Sequence, residues 1–444
     1  MSTRLPDETT SQKIHAVSTD VETAAGLSRD PSLDRGLGQR PDRVWGSAPT
    51  GPGAAPRQGL EERPKKARQK GTVAPMKILY VASTYIHLKH FHLPYLNYFH
   101  EKGDTVHIAA GGTEYPIPYA DQVWHVPFQK SVFSPANFRA AWKFSRIIRR
   151  ENYDLIAVHT TLAAFFTRLA LRLSGRSCPV CNTVHGYLFD DRSPFLKRTA
   201  FLLAEKSMAS VTDTVAVMNR EDWEIAEKHR LYRRQLKFIR GMGVDFSRFP
   251  AITDEARRNA RDALGFSDSD FVLTFAGEFS RRKNQKMLIG AMTMLPEECR
   301  LLLLGDGGEL EQCRRLAEEK GVAGRVIFAG YQADTPFYYA ASDLCVSSSR
   351  SEGLPFNLME AMHMGLPVAA TRVKGHTDLV IPGRNGILAE FDDEAGFARE
   401  VTGLIKNPAR RNAMGGNNRK DMENYSLSSV FEENVSLYEE LLHR

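Results

Sequence analysis

The chain has 444 residues, 42% of them apolar, and a formal net charge of +6. That length and apolar content can supply two or three cores. Half of the charge comes from the first 75 residues, with 12 Lys/Arg against 9 Asp/Glu, so the remainder is only mildly basic and lacks the dense basic face that a nucleic-acid partner requires.

No apolar run approaches the ~18 uninterrupted residues of a membrane span. The best one, "LAAFFTRLALRL", carries Arg168 and Arg172, and the opening segment has no apolar signal core. Five cysteines without regular spacing fit a reducing compartment, with the cytoplasm as the default. Cys178 and Cys181 form a single CxxC with no second pair, which reads as part of a buried strand rather than a metal or redox motif.

Residues 1–75 are rich in Pro, Gly, Ser, Arg and Asp, with Trp45 as their one aromatic, and read as a disordered extension. From Met76 short apolar runs alternate with helical patterns. The strand candidates of residues 76–247 are "KILYVAS", "TVHIAAGG", "QVWHVPF", "YDLIAVHT", "PVCNTVHG", "DTVAVMN" and "LKFIRGMG". The pattern restarts over 248–426 with "FVLTFAGEF", "RLLLLGDGG", "RVIFAGYQ", "DLCVSSS", "PVAATRV" and "NGILAE". Continuous apolar strands separated by helices imply parallel sheet, and hence two doubly wound, Rossmann-like α/β domains. Residues 427–444 have apolar positions at helical spacing and read as a terminal helix that crosses back to the first domain.

Ligands of doubly wound sheets sit beyond the carboxyl ends of the strands. "DLCVSSS" ends just before Glu352, and Pro355 then opens a short helix that carries Glu360. The free N–H groups of that helix start make an anion site. From spacing alone, Glu352 reads equally as a capping carboxylate and Glu360 as a solvated one. "GEFSRRK" ends another strand with Arg281, Arg282 and Lys283, and "PVCNTVHG" brings His185 to a strand end in the first domain. Asp268-Ser269-Asp270 has the D-x-D form of a metal site but precedes its strand, the wrong end for a ligand, and reads as a polar turn. "GDGG" at 305–308 reads as a glycine turn that would let backbone approach a nucleotide. His87, His90 and His92 have no nearby carboxylate or fourth ligand, so no metal is expected.

Glu352-Gly353-Leu354-Pro355 through Glu360-Ala361-Met362 resembles the E-x7-E signature of the family 4 glycosyltransferases, which transfer sugars from nucleotide donors with retention of configuration. "GEFSRRKNQ", "LLLLGDGGEL", "VIFAGYQAD", "HGYLFD" and "HLKHFHLPYL" extend the resemblance over Met76 to roughly residue 440. Within the family it is nearest to exopolysaccharide and capsule enzymes of bacteria. The resemblance implies a GT-B fold, with an acceptor domain and a donor domain facing across a cleft.

It further implies that Glu360 holds the ribose, while Glu352 and the segment Leu354, Pro355, Phe356 and Asn357 hold the donor sugar, and that Lys283 binds the phosphates. An arginine expected directly after the glycine is Glu278 here, so Arg282 or Arg281 is assigned the second cation. His185 is the first-domain histidine beside the donor sugar. Tyr331 is assigned a base contact and His90 a contact from the first domain. The nucleoside diphosphate sugar, taken as a UDP-sugar, is a co-substrate, with no cofactor and no metal. The acceptor is a saccharide or lipid-linked saccharide.

The segment 137–152 places Phe138, Trp142, Ile147 and Ile148 among Arg139, Lys143, Arg146, Arg149 and Arg150. It reads either as an ordinary amphipathic helix or as a peripheral contact with anionic lipid at the inner face of the plasma membrane. Two rival functions stand beside the transferase: a nucleotide-sugar epimerase of the same fold, and a non-catalytic nucleotide-sugar-binding subunit of a polysaccharide complex. A phosphorylase would want a pyridoxal lysine site, for which no candidate is identified.

Overall fold

The computed structural model describes residues 74–129 and 134–443. The expected disordered extension lies outside the described residues but for its last two. All thirteen strand candidates form strands, distributed over two sheets.

The first sheet has seven parallel strands: β1 (Lys77–Thr84), β2 (Thr105–Gly111), β3 (Gln122–His125), β4 (Leu155–His159), β5 (Val180–Val184), β6 (Thr214–Val217) and β7 (Gln235–Phe238). Their order is β3-β2-β1-β4-β5-β6-β7. Every residue of β4, β5 and β6 is buried, as continuous apolar runs covered by helices on both faces should be. The edge strands are the polar ones: β3 alternates half-buried and exposed positions, and β7 is "QLKF".

The second sheet has six parallel strands: β8 (Phe271–Ala276), β9 (Cys299–Leu304), β10 (Val326–Gly330), β11 (Leu344–Ser347), β12 (Val368–Thr371) and β13 (Gly386–Ala389), in the order β10-β9-β8-β11-β12-β13. The order in which successive strands are laid down therefore reverses once in each sheet, between β1 and β4 in the first and between β8 and β11 in the second. At such a switch point the flanking connections run to opposite faces and leave a crevice beyond the strand ends.

The terminal helix, Leu427–Leu442, packs on the first domain. Tyr438 meets Tyr80 edge-on at 5.7 Å, and Asn434 Nδ2 donates to Tyr95 Oη at 2.8 Å and to the Gly241 carbonyl at 2.9 Å. Cys178 and Cys181 are free and buried, with Cys181 inside β5, and Asp268-Ser269-Asp270 forms a turn closed by the Ser267 N–H donating to Asp270 at 2.7 Å.

A second buried contact joins the domains near the switch points. Lys374, just after β12, sends its ammonium to Asp222 Oδ1 at 3.0 Å and to the Tyr187 carbonyl at 3.0 Å, with both charged side chains almost wholly enclosed. Asn219 Nδ2 donates to the Gly353 carbonyl at 3.3 Å, and the Arg220 N–H donates to Asp378 at 2.7 Å.

Candidate active site

Strand ends from both sheets converge where these domains touch. In the second domain, the segment after β8 carries Arg282 and Lys283 and the segment after β11 carries Glu352, so all three stand at the switch point. Lys283 Nζ lies 2.7 Å from Glu352 Oε1 and Arg282 Nη1 lies 2.7 Å from Oε2, with Lys283 and Glu352 both buried. Burial by itself would raise the Glu352 carboxyl, but Lys283 and then Arg282 outweigh it and hold the group well below the usual carboxylate range. Burial also pulls the Lys283 ammonium down, against the attraction of Glu352.

Of the two arginines expected as the second cation, Arg282 is the one joined to Glu352. Arg281 instead lines a small cavity with Lys286, Glu309 and Arg350. The "GDGG" turn buttresses the cation segment: the Phe279 N–H donates to the Asp306 carbonyl at 2.9 Å, and the Glu309 N–H donates to the Phe279 carbonyl at 3.1 Å. A Cβ on Gly307 would sit 2.4 Å from the Phe279 carbonyl oxygen, so only glycine allows that approach.

The short helix spans Phe356–His363, with Pro355 in extended conformation just before it rather than in its first turn. Proline carries no N–H. The free N–H groups at this helix start therefore belong to the residues around Pro355 and not to Pro355 itself. Leu354 is buried against Gly241, the Phe356 ring lies 4.7 Å from Phe91 of the first domain, and Asn357 Nδ2 donates to the Ala276 carbonyl at the end of β8 at 2.8 Å. Glu360 is 6% exposed on this helix. Burial pushes its carboxyl up to about 8, against the pull of Arg248 and of the adjoining Tyr339 hydroxyl. A carboxylate enclosed this way gains from any ligand that donates hydrogen bonds to it.

The first domain contributes histidines. His185 follows β5, and its backbone abuts Gly353: a Cβ there would fall 2.0 Å from the His185 carbonyl oxygen. His185 Nε2 lies 3.3 Å from Nδ1 of His159, the last residue of β4, and burial lowers the His185 imidazole to about 4. It is thus neutral around pH 7, able to donate or accept one hydrogen bond at each nitrogen. His87 and His92 also face His185, with ring centroids 4.8 Å and 6.1 Å away. His90 lies half-buried in the last turn of the helix Tyr85–Phe91, which also carries His87, with its ring 6.3 Å from that of Phe91. Tyr331 stands partly exposed just past β10, the edge strand of the second sheet.

Sequence reasoning missed Asp222, Lys374, His159 and His376. His376 is buried, donates its Nδ1–H to the Thr371 carbonyl at 2.8 Å with its Nε2 3.0 Å from Ser347 Oγ, and adds its field to Glu352. The available signals were a lysine and a histidine bracketing a glycine after a strand, "VKGHTD", and a histidine near the end of "YDLIAVHT".

The model of the glycosyl transferases group 1 matches residues 256–421, and the model of glycosyltransferase family 4 matches residues 95–267. EpsD of Bacillus subtilis (strain 168), which bears a glycosyltransferase's name, is 32% identical over 82% of this chain and 96% of its own. The UDP-Gal:alpha-D-GlcNAc-diphosphoundecaprenol alpha-1,3-galactosyltransferase of Escherichia coli is 28% identical over 57% of this chain and 66% of its own. Among solved structures, Anabaena HepE in complex with UDP and glucose superposes with a TM-score of 0.68 at 20% identity, covering 82% of this chain and all of that one. At that identity the likeness speaks for the fold.

Proposed function

The chain belongs to the family 4 glycosyltransferases, and we therefore propose that it transfers a hexose or N-acetylhexosamine from a UDP-sugar, with retention, to a saccharide or lipid-linked saccharide of bacterial surface polysaccharide. The observation that carries this reading is the cluster at the second switch point, where Glu352 is clasped by Lys283 and Arg282 beside a helix start that leads to the enclosed Glu360. UDP in the HepE complex and UDP-Gal in the name of the Escherichia coli relative favour uridine as the base.

In this mechanism the donor diphosphate takes Lys283 and Arg282 from Glu352. The cations then meet the charge that grows on the leaving phosphate, and Glu352 is released to accept hydrogen bonds from the sugar. Backbone N–H groups of Leu354, Phe356 and Asn357 assist, while Glu360 accepts from the ribose hydroxyls. Neutral His185 hydrogen-bonds the sugar from the opposite domain and is too weak a base to serve as proton acceptor. The bond from the anomeric carbon to the phosphate oxygen breaks as the acceptor oxygen attacks on the same face, and the acceptor proton passes to the departing phosphate. No step calls for a metal or a cofactor.

An enzyme working at the inner face of the membrane suits two exposed features of the first domain. The helix Pro135–Glu151 buries Ala141, Phe144 and Ile148 but leaves Phe138 and Trp142 half exposed, with Arg146 stacked on Trp142 at 3.8 Å. The helix Phe195–Met208 leaves Phe195 and Leu196 78% and 81% exposed beside Lys197 and Arg198. Among the described residues no helix is long and apolar enough to cross a membrane.

The decisive test offers UDP-, GDP- and ADP-sugars to the purified chain with a panel of lipid-linked and free saccharide acceptors. UDP release that depends on acceptor, and is lost in Glu352→Ala and Lys283→Ala, is the expected result. Donor conversion without acceptor would replace the reading with an epimerase, and binding without turnover would replace it with a non-catalytic subunit.

A further inference from the structure

We propose that His87, His92 and His185 form a binding site for one divalent transition-metal ion of the zinc class, and that an ion bound there withdraws His185 from the donor. The inhibitory half rests on the transferase reading; the site itself does not.

The site is assembled by topology. His87 and His92 lie just beyond β1 and His185 just beyond β5, so the sheet brings together residues almost a hundred positions apart. One ring nitrogen from each lies within 4.8 Å of the other two. A tetrahedral zinc site holds its nitrogens about 3.3 Å apart, given Zn–N bonds of about 2.0–2.1 Å. Small side-chain rotations therefore close the set.

The second observation is the unpaired polar surface inside the cluster. Both ring nitrogens of His92 and the Nε2 atoms of His87 and His159 are buried without a hydrogen-bond partner. His92 and His159 are fully enclosed. Such groups are costly to leave unsatisfied, and the unpartnered ring nitrogens of His87 and His92, two members of the set, call for a ligand that accepts one electron pair from each imidazole. His159 adjoins the set through its 3.3 Å contact with His185, as the outer partner that orients a ligating imidazole.

The donor set selects the ion. Three neutral imidazoles with no carboxylate among them suit zinc, cobalt, nickel or copper, whereas magnesium and calcium want oxygen. Three protein ligands also leave a coordination position open. His185 abuts Gly353, the residue after Glu352, so an ion at these rings lies at the mouth of the donor cleft and occupies the lone pair that a sugar hydroxyl would use.

Equilibrium dialysis of the full chain against Zn(II) and Co(II), with metal analysis, tests the site directly. One ion per chain is expected, with a cobalt visible spectrum of tetrahedral nitrogen ligation and no displacement by excess Mg(II). His87→Gln and His92→Gln should each weaken binding at least tenfold. Absence of a stoichiometric ion in the wild-type chain, or undiminished binding in both folded variants, overturns the site. The wild-type cobalt spectrum decides the matter even where the buried His92 variant fails to fold, since an all-oxygen spectrum also overturns it. With the donor, Zn(II) should lower UDP release at least tenfold, chelator should restore it, and His87→Gln should resist. Stoichiometric binding with unchanged UDP release would overturn the inhibitory half alone, and a metal-free chain that never releases UDP would count against the transferase reading while leaving the dialysis result standing.

Discussion

Replacing Glu360 by glutamine should make the ligand-free protein more stable and the donor complex weaker. The carboxyl is 6% exposed and burial raises it from 4.5 to about 8. A raised acid binds its proton more tightly folded than unfolded, so the stability this proton brings is fully present below pH 4.5 and is lost as pH climbs through 8. At pH 9 the ionised side chain costs up to about 5 kcal/mol, from ~1.36 kcal/mol per pH unit, as an upper limit before local relaxation. Glutamine keeps the shape and never ionises. Even half of that limit raises the melting temperature by about 5–10 °C, at ~2–4 °C per kcal/mol for domains of this size.

Thermal unfolding of wild type and Glu360→Gln from pH 5 to pH 9 checks the sign. The gap should open between pH 4.5 and 8 and stay flat above. UDP should show the converse: wild-type affinity rises about fivefold from pH 7 to pH 8 as the carboxylate becomes available to the ribose. Glu360→Gln should lose that rise and bind UDP about 10- to 100-fold more weakly, the ~1.5–3 kcal/mol of hydrogen bonds to a charged group. Equal melting temperatures at pH 9, or a gap of the same size at pH 5, would refute the reasoning.

Glu352→Gln frees Lys283 and Arg282 from their ion pairs, so calorimetry should find UDP bound on the order of tenfold more tightly while transfer is abolished. Lys374→Met strands the enclosed Asp222 carboxylate and should cost about 3–5 kcal/mol in denaturant unfolding, and Asp222→Leu in the same chain should recover most of it. Gly353→Ala places a Cβ against the His185 carbonyl, 2.0 Å away before relaxation, and should separate the domains there. Turnover should fall about 100-fold while UDP affinity, measured on the second domain's contacts, changes little.

The thirteen strands were legible because buried parallel strands are short, continuous and apolar, and the intervening helices repeat at their own period. Local pattern also placed Glu352, Glu360, Lys283 and His185 just past a strand or in the helix that follows one, while the family resemblance, not the pattern, told them from ordinary capping and solvated groups. Which arginine joins Glu352 was not legible: Arg281 and Arg282 are neighbours in the same turn, and only its backbone course sends one to the carboxylate and the other to a separate cavity. Pro355 was read as the first helical residue, but the chain is still extended there, a boundary that composition does not resolve.

Sequence by itself thus determined two parallel-sheet domains, their strand ends and most of the groups standing at them, because those depend on periodicity and on residues close together in the chain. Tertiary structure alone decided what meets across long separations. The Asp222–Lys374 pair joins residues 152 positions apart, and the histidines after β1 and β5 meet each other and the one that ends β4 only when strand order makes them neighbours. Contact between such residues is set by how the sheets wind and how the domains abut, and a polar side chain carries no local mark of the partner it will face.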